Sequence, residues 1–374
     1  MAKISLVLLA AGNSTRFASP VKKQWLRIGD DPLWLHVAKD LQKKANFAKI
    51  IIVANEADLD YMRKFSDEFE FAVGGDLRQI SLKNALEKVT SEFVLVSDVA
   101  RAKISSNLIN SLLENLGKFD CVSPYLSVND TAYLGENEIK RDEIKLIQTP
   151  QLSRTNLLKK ALQSEKIFTD DSLAIKSMGG TLGFVKGEIS AAKITRISDL
   201  ANFDFTPTSK DIFCGNGFDV HAMQNGEFIT LCGVKIPCEY SLIAHSDGDV
   251  AIHALIDAMC GAAGIGDIGE LFPDTDDAYK GIDSKILLQK VTGKINSYGF
   301  EIVNADITIM AQKPKLSPYK EQMRKTLCEI LGTKKVNVKA TTTEKLGFVG
   351  RSEGIAVIAN VNLKYFDWKK LCEF

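Results

Sequence analysis

The chain has no excess charge, no long apolar run and no paired-cysteine motif, and each absence removes a class of function. Its 374 residues carry 47 Lys and Arg against 47 Asp and Glu, so no global basic field exists to wrap nucleic acid or to hold an acidic membrane. Any anionic partner is therefore expected to be small and locally bound. No run of eighteen apolar residues occurs, which leaves no candidate for a membrane-spanning helix. The apolar stretch Ile4–Ala11 after Lys3 is short for a secretory leader and reads better as a buried strand. The cysteines number seven and include no Cys-x-x-Cys pair, which argues against a zinc ribbon or a disulfide framework. Free thiols in a reducing cytoplasm are the expectation.

Histidine is also scarce, and its placement is informative. Of four histidines, His221, His245 and His253 fall in one acid-rich window, with Asp219 two residues before His221. In an extended segment, side chains at i and i+2 leave the same face, so Asp219 and His221 converge. Two imidazoles and a carboxylate suit a tetrahedral zinc-like ion with a fourth position left for substrate. Asp-x-His alone matches many unrelated strands, so the weight rests on the surroundings. On the helix expected after Asp247, Asp249, His253 and Asp257 share one face at four-residue spacing. An acid one turn away can hold the second nitrogen of a metal-bound imidazole. The glycines between Gly261 and Gly269 let backbone amides approach a phosphate.

A chain this long favours two domains. In the first half, strands at 4–10, 49–54, 69–73 and 93–97 alternate with helices at 33–44, 77–89 and 106–116. That alternation implies a doubly wound, Rossmann-like, mostly parallel sheet that binds ligands at the strands' carboxyl ends. Pro207 and its Thr and Ser neighbours break the pattern. The expected division is 1–205, a linker at 206–211, and a second, two-layer α/β domain at 212–374. Its strands are expected near 218–221, 229–234, 301–310, 336–341 and 354–363, and its helices near 250–261, 284–298 and 317–331. No internal repeat or low-complexity tract is evident.

Five ordered motifs over residues 212–366 resemble the 2-C-methyl-D-erythritol 2,4-cyclodiphosphate synthase family: Phe218-Asp219-Val220-His221, Ala244 to Val250, Gly266-Asp267-Ile268-Gly269, Leu271 to Asp276, and Ala340 to Phe348. The resemblance implies that Asp219, His221 and His253 hold zinc. It implies that His245 and Ser246 contact a diphosphate, and that Asp249 and Asp267 lie near the methylerythritol hydroxyls with Ile268, Gly269, Phe272, Asp274 and Asp276. Thr342 would steady the phosphate under attack, and Glu344 would hold a magnesium or manganese ion between two phosphates. Lys315, with Ala311, Thr341, Thr343, Phe348 and Arg351, would receive the cytidine end. The implied reaction cyclises 4-diphosphocytidyl-2-C-methyl-D-erythritol 2-phosphate and releases CMP. The family's trimers place the site between subunits, with a hexamer as the larger alternative.

In the first half, Leu8-Leu9-Ala10-Ala11-Gly12-Asn13-Ser14-Thr15-Arg16 is a strand entering a glycine turn and ending in arginine. Such a loop can wrap a triphosphate with backbone N–H groups while Arg16 and Lys23 neutralise its charge. It matches neither the dinucleotide fingerprint nor the P-loop. Together with Lys22-Lys23-Gln24, Gly74 to Ser81, Val96 to Arg101, Asp130-Thr131, Gln148 to Gln151, Thr169-Asp170-Asp171 and Lys193-Ile194-Thr195, it resembles the 2-C-methyl-D-erythritol 4-phosphate cytidylyltransferase family over roughly residues 3–200. The resemblance implies that Arg16 and Lys23 stabilise charge on CTP, and that Gly12, Gly75, Arg78 and Ser81 bind substrate. It puts Asp98 near magnesium, and Thr131, Arg141 and Lys193 on the 4-phosphate of the acceptor. Ser14-Thr15 stand where that family's loop usually has another glycine, Ser97 replaces a common histidine and Ala102 a proline. The expectation is a bifunctional enzyme of the non-mevalonate isoprenoid route. The alternative is a cyclase carrying a non-catalytic nucleotide-binding module. A separate kinase acts between the two reactions in that route, which makes it a candidate partner.

Overall fold

The computed structural model describes residues 4–244, 246–273, 275, 276, 279 and 281–371. The chain divides into two compact units, Met1–Pro207 with Trp368–Phe374, and Thr208–Asp367.

Eight strands form the sheet of the first unit: β1 (Ile4–Leu9), β2 (Phe47–Ala54), β3 (Glu70–Val73), β4 (Phe93–Asp98), β5 (Cys121–Ser127), β6 (Lys145–Ile147), β7 (Gln151–Arg154) and β8 (Leu182–Lys186). The first four run parallel in the order β3-β2-β1-β4. Their near-continuous Val, Leu and Ile content follows from burial on both faces, with Val7, Ile51, Val53, Leu82, Leu86, Val94, Val96 and Ile175 in one core cluster. Beyond β4 the sheet is mixed. β7 lies antiparallel to both β4 and β5, and β6 to β5, while β8 pairs with β5 in parallel, so the sheet is mostly parallel with antiparallel strands set in beyond β4. β6 and β7 follow one another closely in the chain and both run antiparallel to β5. Leu9 pairs with Asp98 at the carboxyl ends of β1 and β4, so the following loops open on one edge.

Among the helices of this unit are α1 (Leu33–Gln42), α2 (Glu56–Arg63), α3 (Arg78–Leu86), α4 (Ser106–Leu113), α5 (Thr155–Ala161) and α6 (Asp171–Ser177). No helix is expected from the sequence at α2, which is short and mostly polar. Asn55 caps it by accepting from the Ala57 N–H at 3.0 Å. The end of the chain also departs from the expected 212–374 boundary, because Trp368 packs in the first unit. Its indole N–H donates to the Arg27 carbonyl at 2.7 Å and its ring meets Phe205 edge-on. Burying an indole with its N–H satisfied is what fixes this segment there.

The second unit has a five-stranded sheet: β9 (Ile212–Asn225), β10 (Tyr240–Leu242), β11 (Phe300–Met310), β12 (Val336–Thr341) and β13 (Gly354–Tyr365), in the order β10-β9-β13-β11-β12. Only β11 and β12 pair in parallel. The helices α7 (Val250–Ala263), α8 (Ile268–Leu271), α9 (Ser284–Ser297), α10 (Lys320–Leu331) and α11 (Gly347–Gly350) complete the unit. Along β9, exposed Asn216, Phe218 and Val220 alternate with Gly215, Gly217, Asp219 and His221. Two glycines set how α7 lies on this strand. A Cβ at Gly215 would stand 1.9 Å from the Ala258 carbonyl oxygen, and one at Gly217 the same distance from that of Ala254. Four helical residues rise about 6 Å and two strand residues about 6.6 Å, so each glycine receives one turn of backbone. One step further along, the small-residue contact ends and Asp219 and His221 face the start of α7.

Candidate active sites

In the first unit the loops after β1, β3 and β4 enclose a cavity of about 520 Å³ whose lining includes Gly12, Arg16, Lys23, Arg78, Asp98 and Lys193. Gly75 and Ser81 line it as well. The Ser81 hydroxyl accepts from the Gly75 N–H at 3.0 Å and so ties the double-glycine loop to α3. Ser14, which replaces a glycine in the expected pattern, adopts the left-handed conformation at φ 57°. Its hydroxyl accepts from the Lys23 backbone N–H at 2.9 Å. A hydrogen bond that glycine could not make thus offsets the strain of a non-glycine residue in that conformation.

The cavity's charges are held by a chain of ion pairs. Arg78 donates to Asp171 at 2.8 Å and to Asp98 at 3.3 Å, and Lys193 donates to Asp98 at 2.6 Å. Burial alone would raise the Asp98 carboxyl, but Arg78 and Lys193 hold it below the usual carboxylate range. Each of its oxygens accepts from one of these cations, Oδ1 from Arg78 and Oδ2 from Lys193. Lys23 is pushed below the ordinary lysine range by burial and by the neighbouring charges of Lys193 and Arg16. Its ammonium donates to the Ile194 carbonyl at 3.0 Å. Thr131 and Arg141 do not line this cavity. They lie on an exposed arm, where Arg141 donates to the Asn129 carbonyl at 2.7 Å.

In the second unit Asp219, His221 and His253 converge, with one ligand atom from each within 4.8 Å of the others. Asp219 Oδ2 lies 3.1 Å from His221 Nε2 and 3.4 Å from His253 Nδ1. That oxygen is buried and has no hydrogen-bond partner, a costly state that a cation would relieve. The outer nitrogens are held from behind. His221 Nδ1 lies 3.3 Å from the Gly248 carbonyl, and His253 Nε2 lies 3.1 Å from both Ser246 Oγ and Ser284 Oγ. Donation of the outer N–H groups to these oxygens turns the inner lone pairs toward the centre. The donor set and the orphaned carboxylate oxygen fit a zinc-like ion. A cavity of about 370 Å³ opens beside them, lined also by Asp257, Ile268, Gly269 and Phe272.

Family-model comparison matches residues 4–208 to 2-C-methyl-D-erythritol 4-phosphate cytidylyltransferase and residues 212–364 to the YgbB family. The "Bifunctional enzyme IspD/IspF" of Campylobacter hominis is 67% identical over 99% of this chain and 100% of its own length. That of Campylobacter fetus is 57% identical over 99% and 100%. The solved structure of the bifunctional IspDF from Campylobacter jejuni is 52% identical, covers 98% of this chain and 100% of its own, and superposes with a TM-score of 0.92. The chain belongs to the bifunctional IspD/IspF family. It is an enzyme of isoprenoid precursor synthesis with a cytidylyltransferase and a cyclodiphosphate synthase in one polypeptide.

Within this IspD/IspF chain, the structure corrects several expectations. Asp249 is fully buried and does not face the site. Its carboxylate accepts from the backbone N–H groups of Cys232, Gly233 and Ile252 at 2.9, 2.6 and 3.0 Å, capping α7 and gripping the turn between strands 228–231 and 234–237. The second nitrogen of His253 meets two serines, not a carboxylate, while Asp257 accepts from the Ile268 N–H. Gly264 ends α7 in the left-handed conformation, so part of the glycine run serves the helix terminus. Asp267 caps α8 by accepting from the Glu270 N–H at 2.8 Å.

Thr341 ends β12, and Ala311, Lys315, Thr342, Thr343, Glu344, Phe348 and Arg351 lie beyond the ends of β11 and β12, all of them outside the lining of the zinc-site cavity. There the Ala311 N–H donates to the Thr341 carbonyl and the Thr342 hydroxyl to Glu344 at 3.1 Å. Asp276 is exposed and outside that lining too. His245 and Asp274 lie outside the described residues.

Sequence reasoning assigned no role to Asp171, the buried partner of Arg78, nor to Asp58 or Ser284. Asp171 belongs to the Thr169-Asp170-Asp171 motif, and its place just after Asp170, the cap of α6, was the available signal. Asp58 and Ser284 had none.

Proposed function

We propose that the two reactions run at separate centres, one in each unit, each using fixed cations to position phosphates whose own oxygens are the nucleophiles. The observation that carries the first assignment is the convergence of Arg16, Lys23, Arg78 and Lys193 on one cavity at the carboxyl ends of parallel strands. CTP occupies it with magnesium or manganese carried by the nucleotide phosphates. A 4-phosphate oxygen of 2-C-methyl-D-erythritol 4-phosphate attacks the α-phosphorus, and the bond to pyrophosphate breaks. The attacking oxygen is already anionic, so no general base is required, and in-line placement against a cationic wall lowers the barrier. Arg16 and Lys23 bear the charge that grows on the leaving pyrophosphate. Lys193 exchanges its contact with Asp98 for the acceptor phosphate, which Thr131 and Arg141 also bind.

In the second unit Asp219, His221 and His253 hold a zinc-like ion, which when bound supplies Lewis-acid polarisation of the diphosphate. Ser246 and His245 contact the diphosphate, and Asp267, Ile268, Gly269, Phe272, Asp274 and Asp276 receive the methylerythritol end. The substrate's 2-phosphate attacks the β-phosphorus and CMP leaves. Glu344 and Thr342 serve the phosphates, with Glu344 toward a magnesium or manganese ion, and Lys315 and Arg351 serve the cytidine end. The single chain leaves these nucleotide residues outside the zinc-site cavity, and Phe218 and Val220 lie exposed on the sheet. Both features support a homotrimer with sites between neighbours, with a hexamer as a larger assembly. Work in the cytoplasm suits the free thiols, and the kinase of the intervening step is a candidate partner.

The test is pyrophosphate release from CTP and methylerythritol 4-phosphate with magnesium, set beside CMP release from the cyclase substrate. Loss of the first alone in Lys23→Ala supports the assignment. CTP binding without turnover in the unaltered chain would leave the first unit a nucleotide-binding module.

A further inference from the structure

Lys23 sits in an unfavourable place. It lies among Arg16 and Lys193, whose charges repel it, and on a 3₁₀ turn of only three residues, Lys23–Trp25. A turn this short has little internal hydrogen bonding with which to hold a shape. Outside it, one face is gripped by α2. The Trp25 N–H donates to the Lys22 carbonyl at 2.9 Å, which places Lys22 and Trp25 three residues apart on the same side of the turn. The Lys22 ammonium donates to both oxygens of Asp58, at 3.0 and 2.9 Å, and Asp58 is only 2% exposed. Trp25 is fully buried one helical turn along, against Tyr61 at 5.1 Å and Phe65 at 5.7 Å between ring centroids. Its indole nitrogen stands 3.5 Å from Asp58 Oδ2. Lys23 and Gln24, between the two gripped residues, are the ones that line the nucleotide cavity.

We propose that Asp58 is a positioning residue of the cytidylyl transfer: through Lys22 it clamps the turn that presents Lys23 to the nucleotide phosphates against the repulsion of Arg16 and Lys193. The inference rests on the assignment of Lys23 to CTP. Asp58 itself is not among the residues that line the cavity. The fixed carboxylate takes up Lys22, the first lysine of the Lys22-Lys23 pair, so that one ammonium is an anchor and the other serves the reaction. Misplacement of a catalytic group by a fraction of an ångström to 1 Å costs roughly ten- to a hundredfold in rate, which is the range a loosened turn would produce.

The experiment uses the full chain and reads pyrophosphate release from CTP and methylerythritol 4-phosphate. The variants are Asp58→Asn, Lys22→Gln, Lys22→Arg, Lys23→Met and the double variant Asp58→Asn/Lys23→Met. Lys22→Gln keeps a hydrogen-bond donor for the buried carboxylate and so guards against failure to fold. CMP release from the cyclase substrate, which is expected to stay unchanged, reports the state of the second unit. Expected are a loss in kcat of about tenfold in Asp58→Asn and Lys22→Gln, and recovery to within about twofold in Lys22→Arg. The double variant should be no slower than Lys23→Met alone, because residues acting as a unit are non-additive. If Lys23→Met is slowed but still measurable and the double variant loses a further factor equal to that of Asp58→Asn, the clamp acts elsewhere and the inference is overturned alone. If Lys23→Met keeps full activity, the assignment of Lys23 falls and the inference with it.

Discussion

Asp249→Ala separates two accounts of the same residue. The family pattern puts Asp249 by the substrate, whereas the structure buries it completely with three backbone N–H groups on its carboxylate. Truncation removes the N-cap of α7, worth about 1 kcal/mol. It also strands the N–H groups of Cys232 and Gly233, at about 1–3 kcal/mol each. These two residues form a tight turn with positive φ, 51° and 75°, so the loss falls where the backbone has least freedom to relax. The expected destabilisation is about 3–7 kcal/mol, confined to the second unit. For a unit of this size that corresponds to a fall of at least roughly 6 °C in its melting temperature. Scanning calorimetry with the transferase transition as internal reference measures it, and the KM of the cyclase is determined below the transition. An unchanged melting temperature with a raised KM would refute the structural role and return Asp249 to the substrate.

The remaining predictions concern charge, metal and packing. The Lys23 charge is lost below the ordinary lysine range, so CTP affinity should weaken on the alkaline side as pH rises through that lowered value. In Lys193→Met the loss should move to higher pH, because a repelling charge is gone, and in Lys23→Arg it should vanish; calorimetric titration of CTP against pH reads all three. Chelation should abolish CMP release and spare transfer when magnesium is resupplied, and Ser284→Ala should weaken zinc binding about tenfold, read by competition with a chromogenic chelator. Gly217→Ala should destabilise the second unit by at least about 3 kcal/mol in urea, because the added methyl meets a backbone carbonyl that cannot move aside.

The sequence made the local features legible. Continuous apolar runs marked β1 and β4 because both faces of that sheet are covered, and the two-residue spacing of Asp219 and His221 gave their shared face directly. What depends on distant pairing was not legible. β9 is a 14-residue strand, but only Phe218 to His221 were read as strand, because the glycines at 215 and 217 weaken the local pattern and serve instead the approach of α7. Asp249 reads as a surface acid on a helix start until Cys232 and Gly233 are folded against it. Asp58 sits in a short, mostly polar helix, and its meaning lies in Lys22, distant in the chain. Trp368 likewise needs Arg27, distant in the chain, to explain its burial.

Independence of the two centres is tested most directly by Lys23→Ala and His221→Ala, each assayed for pyrophosphate release and for CMP release. The account predicts that Lys23→Ala loses only the first activity and His221→Ala only the second. Equal loss of both activities in either variant would contradict it.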